Sequence, residues 1–161
     1  MRYLKTKGSP VEIDGNPYYI KYTLNVIDEL QDKTKLPMSE IMTLLTYKKH
    51  QLITVKLLIK FLLEIEFEPI EVDYYSALLL TTYIEQIKFK DMPKPNSEEG
   101  KHEPQFIDVE YWFYIGKVVL GFPTDEVWQM TLGQLQTLYN QHLKYIGAIK
   151  EDKEVNIDDV I

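Results

Sequence analysis

Apolar and polar positions follow two different periods along this chain, and the switch between them marks its first structural boundary. Val11 and Ile13 alternate with acids, and Tyr18, Ile20 and Tyr22 alternate on the return, with Asp14-Gly15 between the two runs. A period of two around a D-G pair predicts a β-hairpin, because glycine tolerates the positive φ of a tight turn. Pro17 has no N–H to give a ladder, so it belongs at a strand start or edge. From Thr23 onward the period is helical. Thr23 reads as an N-cap, and Leu24, Ile27 and Leu30 predict a helix over 24–34. Pro37 interrupts it, and Ser39 with Glu40 opens a second, short helix through Tyr47.

A third helix is predicted over 49–66. Leu52, Val55, Ile59 and Leu62 form one stripe, and Leu58, Phe61 and Ile65 another, a breadth that suggests a central, well-buried helix. Pro69 separates it from a fourth helix over 72–90, where Val72, Tyr75, Leu79 and Tyr83 align with Leu78 and Leu80 beside them. The stretch 92–106 breaks the pattern. It is rich in proline and charge and nearly without apolar residues, so it predicts a flexible linker and a domain boundary. Beyond it, 108–120 is apolar on nearly every side, with Gly121 placed to stop a helix. Pro123-Thr124 predicts a short helix whose positive start suits Asp125 and Glu126. Thr131-Leu-Gly-Gln134 fits a capping box for a last helix, with Leu132, Leu135, Tyr139, His142 and Ile146 on one face.

The resulting expectation is a mainly α chain with a small N-terminal β-hairpin, an α+β arrangement: a helical bundle plus a short helical C-terminal subdomain. Its units are residues 1–91, the linker 92–106, the helical subdomain 107–150 and an acidic tail 151–161. Glycine is sparse, at seven residues, which argues against a loop-rich β chain.

Charge narrows the choice of partner. The chain has 161 residues and a net charge of −7. Residues 1–91 carry 12 Lys/Arg against 13 Asp/Glu, whereas 92–161 carry 6 against 12. A duplex-binding module needs positive charge to release phosphate counterions, so nucleic acid is not an expected partner. The most apolar run, Leu57 to Phe67, is interrupted by Lys60, Glu64 and Glu66, so no membrane span is expected. The start of the chain lacks the apolar core of a signal peptide. With no cysteine, a reducing, cytoplasmic setting is the natural expectation.

Catalytic chemistry finds little purchase. His50, His102 and His142 stand in no metal-ligand spacing, and His142 falls on the inner stripe of the last helix. No phosphate-cradling glycine loop or nucleophile elbow is present. Glu64, Glu66 and Glu68 read as a solvated helix end, not an acid/base pair. The expectation is therefore a binding protein and not an enzyme, with no cofactor and no metal. The aromatic run Tyr111-Trp112-Phe113-Tyr114 is the most informative local feature. It wraps more than one helix face, so one side is expected inside and the other against the main domain or a partner.

Two segments resemble a known family. Val11 to Leu30, a hairpin around a D-G turn followed by a helix opening Thr23-Leu-Asn-Val-Ile-Asp-Glu-Leu30, is similar to the start of many phage tail assembly chaperones. Gly121-Phe-Pro-Thr-Asp-Glu-Val-Trp-Gln-Met-Thr131 resembles the C-terminal region of their longer forms. The resemblance implies a non-catalytic assembly factor of a phage or prophage, acting in the host cytoplasm and absent from the mature virion. Its implied partners are the tape measure protein, which it keeps soluble, and the tail tube protein, which it helps recruit; self-association stays open. Glu126, Trp128, Met130 and Thr131 match the family's C-terminal pattern, and with Tyr111, Trp112 and Tyr114 they are the expected partner-binding residues. Their packing roles compete with that reading, Thr131 as an N-cap above all. The rival functions are a structural tail or adaptor protein kept in the particle and a helix-turn-helix regulator built from 124–146.

Overall fold

The computed structural model describes residues 8–87 and 105–148. It begins with the expected hairpin. β1 (Ser9–Ile13) and β2 (Asn16–Ile20) pair antiparallel, with Val11 opposite Tyr18 and Glu12 opposite Pro17. Asp14 at φ 50° and Gly15 at φ 78° form the two-residue turn, whose twist matches that of the strands. Val11, Ile13 and Ile20 turn to the core.

Helix α1 (Leu24–Thr34) starts at the expected cap: Thr23 Oγ1 accepts from Val26 N–H at 3.1 Å. It stops where Lys35 takes a left-handed φ of 57° and donates its N–H to Gln31. Helix α2 (Met38–Leu44) ends three residues before Tyr47, because the chain turns through Thr46 N–H to Thr43 and Tyr47 N–H to Leu44. Helix α3 (Lys48–Leu63) also ends short of residue 66, at Glu64, whose φ of 57° breaks the helix. Its burial is uneven. Thr54, Val55, Leu58 and Ile59 are inside, but Leu52 and Ile53 are exposed, so only the later turns match the expected central helix. Helix α4 (Val72–Ile87) buries Ser76, Leu79 and Thr82; Val72, Tyr75 and Tyr83 are half-buried. The inner face thus joins small polar residues to the expected stripe: Leu79 is fully buried, and Val72, Tyr75 and Tyr83 pack against the core from its side.

In the second described segment Asp108 caps α5 (Val109–Tyr114), its carboxylate accepting from Tyr111 N–H at 3.0 Å. The helix widens into a π-helical turn, Ile115–Val119, and ends before Gly121. Helix α6 (Thr124–Trp128) and helix α7 (Leu132–Tyr145) follow. The capping box of α7 is complete: Gln134 N–H donates to Thr131 Oγ1 at 3.2 Å, and Thr131 N–H to Gln134 Oε1 at 2.9 Å. Leu132 and Leu135 are buried and Tyr139 and His142 half-buried, but Ile146 lies exposed where the helix runs off the core. The fold is mainly helical with one small hairpin, with seven α-helices among the described residues.

Residues on both sides of the expected boundary share one hydrophobic cluster. Val109, Val127, Met130, Leu132 and Leu135 pack with Ile20, Leu24, Ile27 and Leu79. The linker over 92–106, apart from Gln105 and Phe106, and the tail over 151–161 lie outside the described residues. Three polar clasps reinforce the shared core. Tyr22 N–H donates to Gln86 Oε1 at 2.7 Å, and Gln86 Nε2 donates to Ile20 O at 2.9 Å, so one side-chain amide extends the end of β2 onto α4. Gln31 clasps the backbone of Ile107 in the same way, accepting its N–H at 2.9 Å and donating to its carbonyl at 3.0 Å. Leu24 N–H donates to Met130 O at 2.8 Å beside a β-bridge between Thr23 and Thr131, which sets the starts of α1 and α7 side by side.

α7 approaches α4 through Gly133. A Cβ there would stand 2.4 Å from the Gln86 carbonyl oxygen, a backbone atom. Gly133→Ala is expected to cost about 1–3 kcal/mol from overpacking, despite the roughly 1 kcal/mol by which alanine is the better helix former. An unchanged denaturation midpoint would contradict this contact. Gln31→Leu is expected to cost about 1–3 kcal/mol, since it leaves the N–H and carbonyl of Ile107 unsatisfied beside the core. Amide hydrogen exchange checks it directly: Ile107 should exchange much faster in the variant, and unaltered exchange would argue that the clasp contributes nothing.

Candidate partner-binding surfaces

Side chains of the aromatic run divide between inside and outside. Tyr111 and Tyr114 are exposed, and Val118 continues their line along the π-helical turn. Trp112 and Phe113 point inward. Trp112 stands edge-on to Tyr111 at 5.2 Å and to Tyr139 at 6.4 Å, and Phe113 stacks on Trp128 with centroids 4.7 Å apart. Partial burial raises the Tyr111 hydroxyl above the ordinary tyrosine range, and the neighbouring Tyr139 adds to the effect by charge and hydrogen bonding.

The residues of the C-terminal pattern take different positions. Glu126 is exposed in the first turn of α6, where the helix dipole favours its charge. Trp128 is half-buried under Phe113. Met130 and Thr131 are buried, and their contacts run inward: Met130 O receives Leu24 N–H, and Thr131 caps α7. The expected direct contact of Met130 and Thr131 with a partner finds almost no exposed side-chain surface in this fold, because both side chains are enclosed where α1 meets the start of α7. The two segments whose patterns stood out in the sequence meet in space, Thr23-Leu24 against Met130-Thr131.

A second surface lies on α4. Ile70 just before the helix is 97% exposed, and Tyr74, Ala77, Thr81 and Ile84 follow it on the solvent side at steps of four and three. Between Asp73 and Glu85 the helix has no charged residue. A surface helix normally carries charge opposite its buried stripe, and one that is apolar all round is normally covered. Contiguous exposed apolar surface is commoner at contact sites than elsewhere on a monomer. The steps of three and four are also those by which one helix lays side chains between those of another. The sequence pattern contained this signal, in eleven consecutive uncharged positions from Tyr74 to Ile84, but a search for inner stripes looks past it.

Between the hairpin end, the start of α1 and the end of α3 lies an open, mostly polar groove of about 380 Å³, lined by Lys21, Asn25, Glu29, Glu64 and Gln129 among others. Partial burial lowers the pKa of Lys21. Among the described residues no three His, Asp or Glu side chains are grouped as metal ligands, and no helix is long and apolar enough to cross a membrane. Compared with known proteins, the chain matches no family model, no curated protein and no solved structure.

Proposed function

We propose that this chain is a phage or prophage tail assembly chaperone, a non-catalytic binder that covers apolar stripes of the long helical tape measure protein and helps bring tail tube subunits to it. The observation that carries the reading is the uncharged, solvent-facing side of α4. It offers a client helix a dry seam in which no charge has to be desolvated. Tyr111, Tyr114 and Val118 supply a second apolar strip, and aromatic residues of this kind anchor interfaces. The acidic excess of residues 92–161 helps keep a complex with an apolar client soluble. The resemblance of the segments around Thr23 and Thr131 supports the choice of client.

A chaperone leaves before the particle is complete, whereas a structural tail protein stays. Mass spectrometry of purified particles separates the two. Only trace amounts of this chain are expected there, and copies in stoichiometric proportion to a tail component would contradict the chaperone reading.

A further inference from the structure

One side of α3 carries bases and aliphatic residues together. Lys49, Leu52, Ile53, Lys56 and Lys60 recur at spacings that share a helix face. Leu52 and Ile53 are exposed, Ile53 to 71%, and so are Lys49 and Lys60; Lys56 is half-buried and paired with Glu68. The helix has four lysines and no acid, in a chain whose net charge is −7. Glu64, Glu66, Glu68 and Glu71 gather past its far end, so the first turns are where positive charge stands unmatched. Those turns are also at odds with the helix dipole. Tyr47 gives no side-chain cap, and Lys48 and Lys49 occupy a position that favours acids.

The face calls for a segment that is acidic and aliphatic together, and the chain contains one. Residues 151–161 hold five acids, one lysine and the aliphatics Val155, Ile157, Val160 and Ile161. We propose that this segment docks on the α3 face of its own chain, its aliphatics over Leu52 and Ile53 and its acids against Lys48, Lys49 and Lys60. The reach is sufficient. α7 packs on α4 and α4 on α3, with helix axes about 8–10 Å apart. The six residues between Ala148 and Val155 let the docking part start about 25 Å from Ala148 when extended. Tethering sets a local concentration on the order of millimolar, so individually weak contacts suffice. The docked segment shields two exposed aliphatics and places negative charge at the start of α3. A partner that uses this face has to displace it. The inference does not depend on the tail-assembly reading.

The absence of cysteine allows one nitroxide to be attached at Asn156→Cys in the full chain. Diluting isotope-labelled, spin-labelled protein into an excess of unlabelled protein restricts the readout to contacts within one chain. The Leu52 and Ile53 amide signals should lose intensity, regain it when the nitroxide is reduced, and keep it throughout in the Lys49→Glu/Lys60→Glu variant. Undiminished signals, or a loss that survives the charge reversal, overturn the proposal. So does selective broadening of these signals by phosphatidylserine vesicles with no effect of the nitroxide, which would assign the face to an anionic membrane.

Discussion

Tyr22→Ala is expected to destabilise the fold by about 3–5 kcal/mol, the range for removing a fully buried aromatic side chain. Tyr22 follows β2, is fully enclosed, and sits edge-on to Tyr83 with centroids 5.2 Å apart. Its hydroxyl donates to Leu79 O at 3.0 Å, so the ring and its polar tip both tie the hairpin exit to α4. Truncation would leave a cavity where hairpin and α4 meet. Tyr22→Phe keeps the packing and should cost only about 1 kcal/mol, for the single hydrogen bond. Urea denaturation followed by circular dichroism measures both, and a Tyr22→Ala variant as stable as Tyr22→Phe would remove the residue from its central place. Burial pushes the Tyr22 hydroxyl well above the ordinary tyrosine range and raises that of Tyr83 to about 12. Both raised values favour the protonated, folded form. Their contribution is fully present below pH 10, the unfolded value, and is lost as pH rises through the folded values. Alkaline unfolding is therefore expected above pH 10, and loss of stability between neutrality and that point would need another cause.

Thr81→Glu combined with Ile84→Glu is expected to abolish client binding while leaving the fold intact. Both positions are exposed on the uncharged side of α4. In the free protein each change should alter stability by no more than about 0.5 kcal/mol, as for other surface sites. In the complex each carboxylate would be buried without a partner, a cost of several kcal/mol. That is a loss of affinity on the order of 100-fold or more per site. Glu110→Ala combined with Lys117→Ala, which removes two charges beside the aromatic strip, should have a much smaller effect, because rim charges contribute little. Equal losses from both variants would mean that α4 has no special role.

Features written in a few neighbouring residues were legible in the sequence. The Asp14-Gly15 turn, the Thr23 cap, the Thr131-Gln134 box and the stop at Gly121 each depend on local backbone chemistry that side chains announce. Features joined across the chain were not. Gln31 lies at core spacing in α1, but nothing in the sequence shows that it clasps Ile107, 76 positions away. The Gln86 clasp on Ile20 and Tyr22 is of the same kind. The early ends of α2 and α3 turn on the extended backbone of Tyr47 and the left-handed φ of Glu64, which apolar periodicity does not encode. On α4 the stripe of Val72, Tyr75, Leu79 and Tyr83 was legible, but not the burial of the small Ser76 and Thr82 beside Leu79, because size marks a stripe in sequence. At the candidate surface, the exposed Tyr111 and Tyr114 follow from a run too wide for one face, whereas the burial of Met130 and Thr131 follows from their pairing with α1. The open side of α4 was visible as missing charge, and only the fold shows that nothing among the described residues covers it.

The proposed function requires that this chain keep a long helical client soluble through the uncharged side of α4. Its most direct test is the soluble fraction of the tape measure protein of the same phage or prophage, expressed with and without this chain. The wild-type chain is expected to move the client into the soluble fraction and to co-purify with it, and the Thr81→Glu/Ile84→Glu variant to do neither. A client that remains equally insoluble with and without the wild-type chain would contradict it.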